Sequence, residues 1–297
     1  MKKALPYIAI VMTVTFWGIS YISSTICLRY TSPITLVSMR SAIAAIILFT
    51  IWKVTTPKAK IMKKDYWRFL ASGFLGMNCY FICEVTALKY ISPSIVVIIV
   101  AAIPIFTLLI DRIFMKTKLT FFKIVGVVVS LVGVALIISS DLSNVEGGGK
   151  AIGYLFALGA VLSWVIFNYV TKPLYADYKP LTITAVQMAV GALSLIPFFL
   201  LSERQPIAFD TTFIFNLLFL ALLCSATAML LYMYALSHLS VFTTTLFINV
   251  PPLITVAASA LILKQFLSPI QFVGGFLVIM AVYVSNIVIK KKEIRSE

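Results

Sequence analysis

Ala87-Leu88-Lys89-Tyr90-Ile91-Ser92, followed at intervals by Pro104, Thr107, Lys116, Leu119 and Val125-Gly126, has a second copy 148 positions later. There the chain reads Ala235-Leu236-Ser237-His238-Leu239-Ser240, then Pro252, Thr255, Lys264, Leu267 and Val273-Gly274. Outward from this stretch, Trp17, Pro33 and Arg40 fall on Trp164, Pro180 and Gln187 at a shift of 147. Each copy carries five apolar segments, and five is odd. Two such copies in succession must enter a membrane from opposite sides, which is the inverted-repeat layout of a secondary transporter. The substrate site is then expected near the midplane between the halves.

Composition puts the chain in lipid. With 61% apolar and 11% charged residues and a mean hydropathy of +1.06, it has too little polar surface to cover a soluble globule. A hydrocarbon core of about 30 Å needs roughly 20 apolar residues per helix. Runs of that kind are expected near 5–28, 34–53, 67–88, 92–115, 120–140, 151–171, 181–202, 212–236, 240–263 and 269–289. They are continuously apolar rather than alternating, which favours helices over a barrel. The expected fold is an all-α membrane protein, ten transmembrane helices arranged as two inverted five-helix repeats. Residues 1–140 form the first repeat and 151–297 the second, joined by the polar linker 141–150 (DLSNVEGGGK). The apolar run after Met1-Lys2-Lys3 closes on no small-residue cleavage pattern and reads as an uncleaved first span.

A net charge of +14 raises the question of a nucleic-acid partner, and the placement of the charges answers it. With the N-terminus inside, Lys2, Lys3, the basic residues from Lys53 to Arg68 and from Arg112 to Lys123, Lys172, Lys179 and those from Lys290 to Arg295 all fall inside. Only Arg29, Lys89, Lys150, Arg204 and Lys264 fall outside. This asymmetry predicts both termini in the cytoplasm, in a plasma membrane of prokaryotic inner-membrane type, with the bilayer rather than nucleic acid as the surrounding partner. Cys27, Cys79, Cys83 and Cys224 lie in or at the ends of spans, and His238 is the single histidine. No metal site is expected, and no cofactor.

Pro33 and Pro180 precede the second helix of each copy, where a missing N–H does no harm. Pro104 and Pro252 are expected inside the fourth helices, where proline bends the axis, and Asn249 and Pro251 reinforce the break in the second copy. Trp17-Gly18 in the first helix, Ala87 to Ser92, a proline in the fourth helix and Gly126 and Gly133 in the fifth together resemble the EamA-type ten-helix branch of the drug/metabolite transporter superfamily. The resemblance covers almost the whole chain and implies a 5+5 bundle, alternating access and a small metabolite such as an amino acid as cargo, often exported. Members of that family commonly carry a glutamate after the fourth helix of each half; here those positions hold Thr117 and Gln265.

Ionisable groups within spans cost about 2.5 to 3.5 kcal/mol each on insertion scales, which makes them functional candidates. Arg40 lies roughly 10 Å below the outer boundary at about 1.5 Å per residue, and Glu84 at a comparable depth. They are expected to pair or to compete for one charged substrate, with Glu84 as proton acceptor and coupling group and Arg40 as carboxylate anchor; a purely structural salt bridge is the alternative. Asp111 and Arg112, near the cytoplasmic end of the fourth helix, are the expected gate or interface pair. Trp17 and Tyr21, Tyr80 and Glu84, and Trp164 and Asn168 are four apart and share helix faces. With Gln187, the repeat mate of Arg40, and Tyr232, that of Glu84, they complete the expected substrate-binding lining together with Asn249.

No Walker-type phosphate loop is present, so drive by a gradient of protons or another coupling ion is expected. An enzyme is not: paired aspartates, a Ser–His set or a metal cluster cannot be assembled from one histidine and one intramembrane aspartate. A non-transporting scaffold or receptor is the alternative class, and a sealed apolar centre would favour it. Gly126, Gly133, Gly274 and Gly275 allow close packing within the chain or in a homo-oligomer.

Overall fold

A computed structural model describes residues 4–107, 121–142, 149–202, 209–239, 247 and 250–293. The described elements are helical: α1 (Leu5–Cys27), α2 (Pro33–Thr55), α3 (Lys63–Tyr90), α4 (Pro93–Thr107), α5 (Phe121–Leu142), α6 (Lys150–Ala176), α7 (Pro180–Leu201), α8 (Thr211–His238), α9 (Pro251–Leu263) and α10 (Pro269–Glu293). Six of them, α1 to α3 and α6 to α8, are long and apolar enough to cross a bilayer, and the other four are apolar but carry shorter described spans. Large apolar side chains remain on the outside, among them Leu155, Leu201, Phe215 and Phe266. An apolar exterior around a helical bundle is what lipid requires, and the chain is a multi-pass membrane protein.

Helix starts follow the turn chemistry. Pro33 opens α2, whose first turn is capped by Ser32 Oγ accepting from the Thr35 amide at 3.3 Å. Asp210 caps α8 by accepting from the Phe213 amide at 2.7 Å. The structure departs from the sequence expectation at both fourth-helix prolines. Helix α4 is interrupted at Ala101-Ala102 and resumes at Ile103, so that Pro104 sits in the first turn of the resumed segment. Pro251 and Pro252 occupy the opening turn of α9 rather than its interior. Consecutive prolines lack two amide donors, and only a first turn has no use for those donors. Asn249, Asp111 and Arg112 lie outside the described residues. The expected linker is shorter than its composition suggests, because α5 runs on through Asp141-Leu142 and helix has resumed at Gly149.

Two features are invisible in the sequence. Helix α3 widens to π geometry over Gly73–Cys79, and α8 does so over Phe219–Thr227, at corresponding positions of the two copies. Widened turns leave carbonyls free to accept from other elements. In each copy one does: Ser163 Oγ of α6 donates to the Leu75 carbonyl at 2.9 Å, and Trp17 Nε1 of α1 donates to the Cys224 carbonyl at 3.3 Å.

The helices pack across copies: α1 on α8, α3 on α6, α2 along α7, α4 on α9 and α5 along α10. In lipid this association has no hydrophobic drive and depends on close van der Waals fit. Gly133 of α5 shows how close. A Cβ there would stand 2.6 Å from the Gly274 carbonyl oxygen and 2.9 Å from the Val278 side chain of α10. Gly133→Leu is therefore expected to destabilise the α5–α10 pair by about 1–3 kcal/mol, read as a lower melting temperature in detergent. Val128→Leu, on an exposed face of the same helix, should leave the melting temperature unchanged.

Candidate functional site

A small cavity with about 40 Å³ of room for water lies inside the bundle, lined by Trp17, Ser20, Tyr21, Arg40, Tyr80, Phe81, Glu84, Val97, Val100, Ala101, Ile103, Trp164 and Pro251. Residues of both copies contribute. The backbone break of α4 supplies Ala101 and the proline turn of α9 supplies Pro251, so the irregular backbone lies against the cavity, where such backbone is tolerated in a membrane.

Two opposite charges stand in this wall. Arg40 is only 1% exposed. Its Nε donates to Ser225 Oγ at 2.9 Å, and its guanidinium carbon lies 4.5 Å from the centre of the Phe81 ring. Its Nη1 is buried with no hydrogen-bond partner among the described residues. Glu84, 5% exposed, accepts from the Tyr80 hydroxyl at 3.0 Å, and Tyr21 shares the same cavity wall. Arg40 and Glu84 form no ion pair: the described ion pairs are Lys64–Asp177 and Arg68–Asp65. Of the two expected arrangements, direct pairing or competition for one charged substrate, the direct pair is not formed among the described residues. Each charge is held by a neutral partner, Arg40 by a serine and a ring and Glu84 by a phenol, and the space between them belongs to the cavity. A buried guanidinium is costly to leave short of acceptors, and the Nη1 donor of Arg40 is left without one.

Aromatic rings form the rest of the box. Trp17 meets Trp164 edge-on at 5.9 Å, and Trp164 lies 4.7 Å from Tyr80. Tyr232 stands behind them, 5.2 Å from Trp17 and 6.3 Å from Trp164. It supports the wall and is not part of the lining. Of the residues expected to bind substrate, Trp17, Tyr21, Arg40, Tyr80, Glu84 and Trp164 meet in the cavity.

Two others do not. Asn168 is turned onto its own helix, donating to the Trp164 carbonyl at 2.9 Å. Gln187 is fully buried in a separate polar cluster, donating to Ser72 Oγ at 2.8 Å and Thr171 Oγ1 at 2.9 Å. Its amide nitrogen is held against Ser72 of α3 instead of facing the cavity. Ser20, Phe81 and Ser225 were not anticipated. Ser225 is the repeat counterpart of Asn78, itself a buried polar group that donates to Ser194 Oγ at 2.7 Å, and that correspondence is the one sequence signal that points to it.

A profile of the EamA-like transporter family matches the chain twice, over residues 4–139 and 151–287. An uncharacterized transporter of Archaeoglobus fulgidus is 27% identical over 293 residues, covering 98% of this chain and all of the relative. The uncharacterized transporter YvbV of Bacillus subtilis is 22% identical, with 96% and 93% of the two chains covered. A probable terminal-alkyne amino-acid exporter of Streptantibioticus cattleyicolor is 25% identical, with 96% and 95% covered. One solved crystal structure, 14% identical, superposes with a TM-score of 0.67 over 97% of this chain and 98% of the other, a likeness of fold. Two family matches spanning both copies, on a helical membrane bundle built around a charged internal cavity, identify the chain as a member of the EamA-like transporter family.

Proposed function

We propose that the chain is a secondary transporter that moves a small polar or amphipathic metabolite, such as an amino acid, across the plasma membrane by gradient-driven alternating access, in the direction of export. The observation that carries this reading is the unfilled Nη1 of buried Arg40, in one small cavity with Glu84. Arg40 takes the carboxylate of the cargo, Glu84 takes its ammonium or, in the empty carrier, a proton, and the Trp17, Trp164 and Tyr80 rings cover the apolar part.

The cross-copy packing supports a 5+5 inverted repeat. Under a two-fold axis that exchanges the copies, a contact between a helix and its own mate maps onto itself and α1–α8 exchanges with α6–α3; the observed pairs α2–α7, α4–α9, α5–α10, α1–α8 and α3–α6 are of these two kinds. The positive-inside count supports cytoplasmic termini. Export is supported by the name of one relative, a terminal-alkyne amino-acid exporter. The charged lining speaks against a sealed scaffold or receptor core.

In a thermal-shift screen of the full chain in detergent, a carboxylate-bearing metabolite is expected to raise the melting temperature. Arg40→Ala should weaken that ligand by roughly 10- to 100-fold, the worth of a lost charged hydrogen bond. Unchanged binding in Arg40→Ala would place the site elsewhere. Glu84→Gln, which keeps the shape and the acceptor for Tyr80, should leave exchange of ligand across a vesicle membrane intact while abolishing accumulation driven by a proton gradient. Gradient-coupled accumulation preserved in Glu84→Gln would remove the coupling role.

A further inference from the structure

The two ends of the bundle carry the same chemical device, and each example ties one copy to the other. At the lysine-rich end, Tyr178, in the loop between α6 and α7, donates its hydroxyl to Asp65 Oδ2 at 2.9 Å and accepts from the Met62 amide at 3.0 Å. Its ring meets Phe69 of α3 at 5.3 Å. Asp65 is 1% exposed and also holds Arg68 Nη1 at 2.7 Å, and Lys64 reaches Asp177 at 3.1 Å beside it. At the other end, Tyr30, in the loop between α1 and α2, meets the ring of Phe213 of α8 at 5.7 Å. Asp210 caps that helix, its Oδ1 accepting from the amide of the same Phe213 at 2.7 Å.

The correspondence is one of place in each copy rather than of aligned residues. Tyr30 and Tyr178 precede the second helix of each copy; Asp65 and Asp210 stand at the start of the third; Phe69 and Phe213 lie one turn on and are fully buried. The two sites are separated by the length of α2, whose 23 residues span roughly 35 Å at about 1.5 Å each. Hydrogen bonding to Asp210 pushes the Tyr30 phenol above its ordinary value. Burial chiefly does the same for Tyr178, opposed by the hydrogen bond from the Met62 amide and reinforced by the bond to Asp65. Both phenols therefore keep their protons, and remain donors, up to alkaline pH.

We propose that Tyr178–Asp65 and Tyr30–Asp210 are the latches of two gates, both closed here around the central cavity, and that each transport half-cycle opens one of them. The inference rests on the alternating-access reading and assigns gate residues to it. Each latch joins a loop of one copy to a helix start of the other, so rocking of the copies against each other must separate the contact at whichever face opens. Because the contacts lie at opposite ends, the same rotation presses the other one shut. An aromatic contact beside a carboxylate suits this cycle: it seals against water, and loss of one hydroxyl–carboxylate bond such as Tyr178–Asp65 shifts a two-state equilibrium by about ten-fold.

The test reads access, not flux. With Cys27, Cys79, Cys83 and Cys224 replaced by alanine, Ser20→Cys places one thiol in the cavity wall, and a membrane-impermeant thiol reagent is applied from either side of the membrane. Lys58→Cys, in the same background, identifies the lysine-rich side. Tyr178→Phe, or Asp65→Asn as a second variant, should raise labelling of the cavity thiol about ten-fold from the lysine-rich side and not from the other. Tyr30→Phe should do the reverse. Labelling that rises from both sides in any one variant, or from neither in all, would overturn the latches. Side-switched labelling in a chain that moves no metabolite would sink the transport reading and leave the latches standing; flux with unmoved labelling would do the opposite.

Discussion

A guanidinium buried within a membrane bundle is the constraint to which the rest of the site answers. A buried guanidinium is rich in donors, so the surroundings of Arg40 must supply acceptors. Ser225 and the Phe81 ring supply part, and its Nη1 is left without a partner in a residue that lines a cavity shared with Glu84. Had the two charges met in a direct pair, the interior would be electrically closed and the cavity would have little to bind. Holding them apart by neutral partners keeps both available to a third party.

The backbone around them is arranged to the same end. Regular helix satisfies every internal donor and acceptor and so has nothing to offer a neighbour in lipid. Departures from it among the described residues include the π turns of α3 and α8, a further π turn at the end of α9, the break in α4 at Ala101-Ala102 and the proline turn of α9. The π turn of α8 is where Ser225 meets Arg40 and where the Cys224 carbonyl takes the Trp17 indole. The break in α4 and the proline turn of α9 line the cavity itself. Local loss of helical hydrogen bonding thus becomes a means of joining the two copies.

Much of this was legible in the sequence, for physical reasons that differ from residue to residue. Arg40 and Glu84 stand out because a charge in an apolar run is expensive, and Trp17 and Trp164 because they recur at one shift. The prolines announced irregular backbone, though not that Pro104 and Pro252 would both occupy first turns. Gln187 misled because equivalence under the repeat was taken as equivalence of role; its amide nitrogen is held by Ser72 and Thr171, away from the cavity. Ser225 could not be picked out from the other small polar residues without knowing what packs beside it. The π turns have no composition signature. Tyr30, Tyr178, Asp65 and Asp210 sit in loops and caps, where polar residues are ordinary and only the fold gives them partners.

The central claim is that two separated charges in one cavity read both ends of a zwitterion. It is tested most directly by measuring the affinity of the purified chain for one α-amino acid that binds it, for the amine that lacks its carboxylate and for the acid that lacks its amine. The account predicts that each truncation weakens binding by at least about ten-fold, since each strands one buried charged group. Equal affinity for the amino acid and for either truncated form would contradict it.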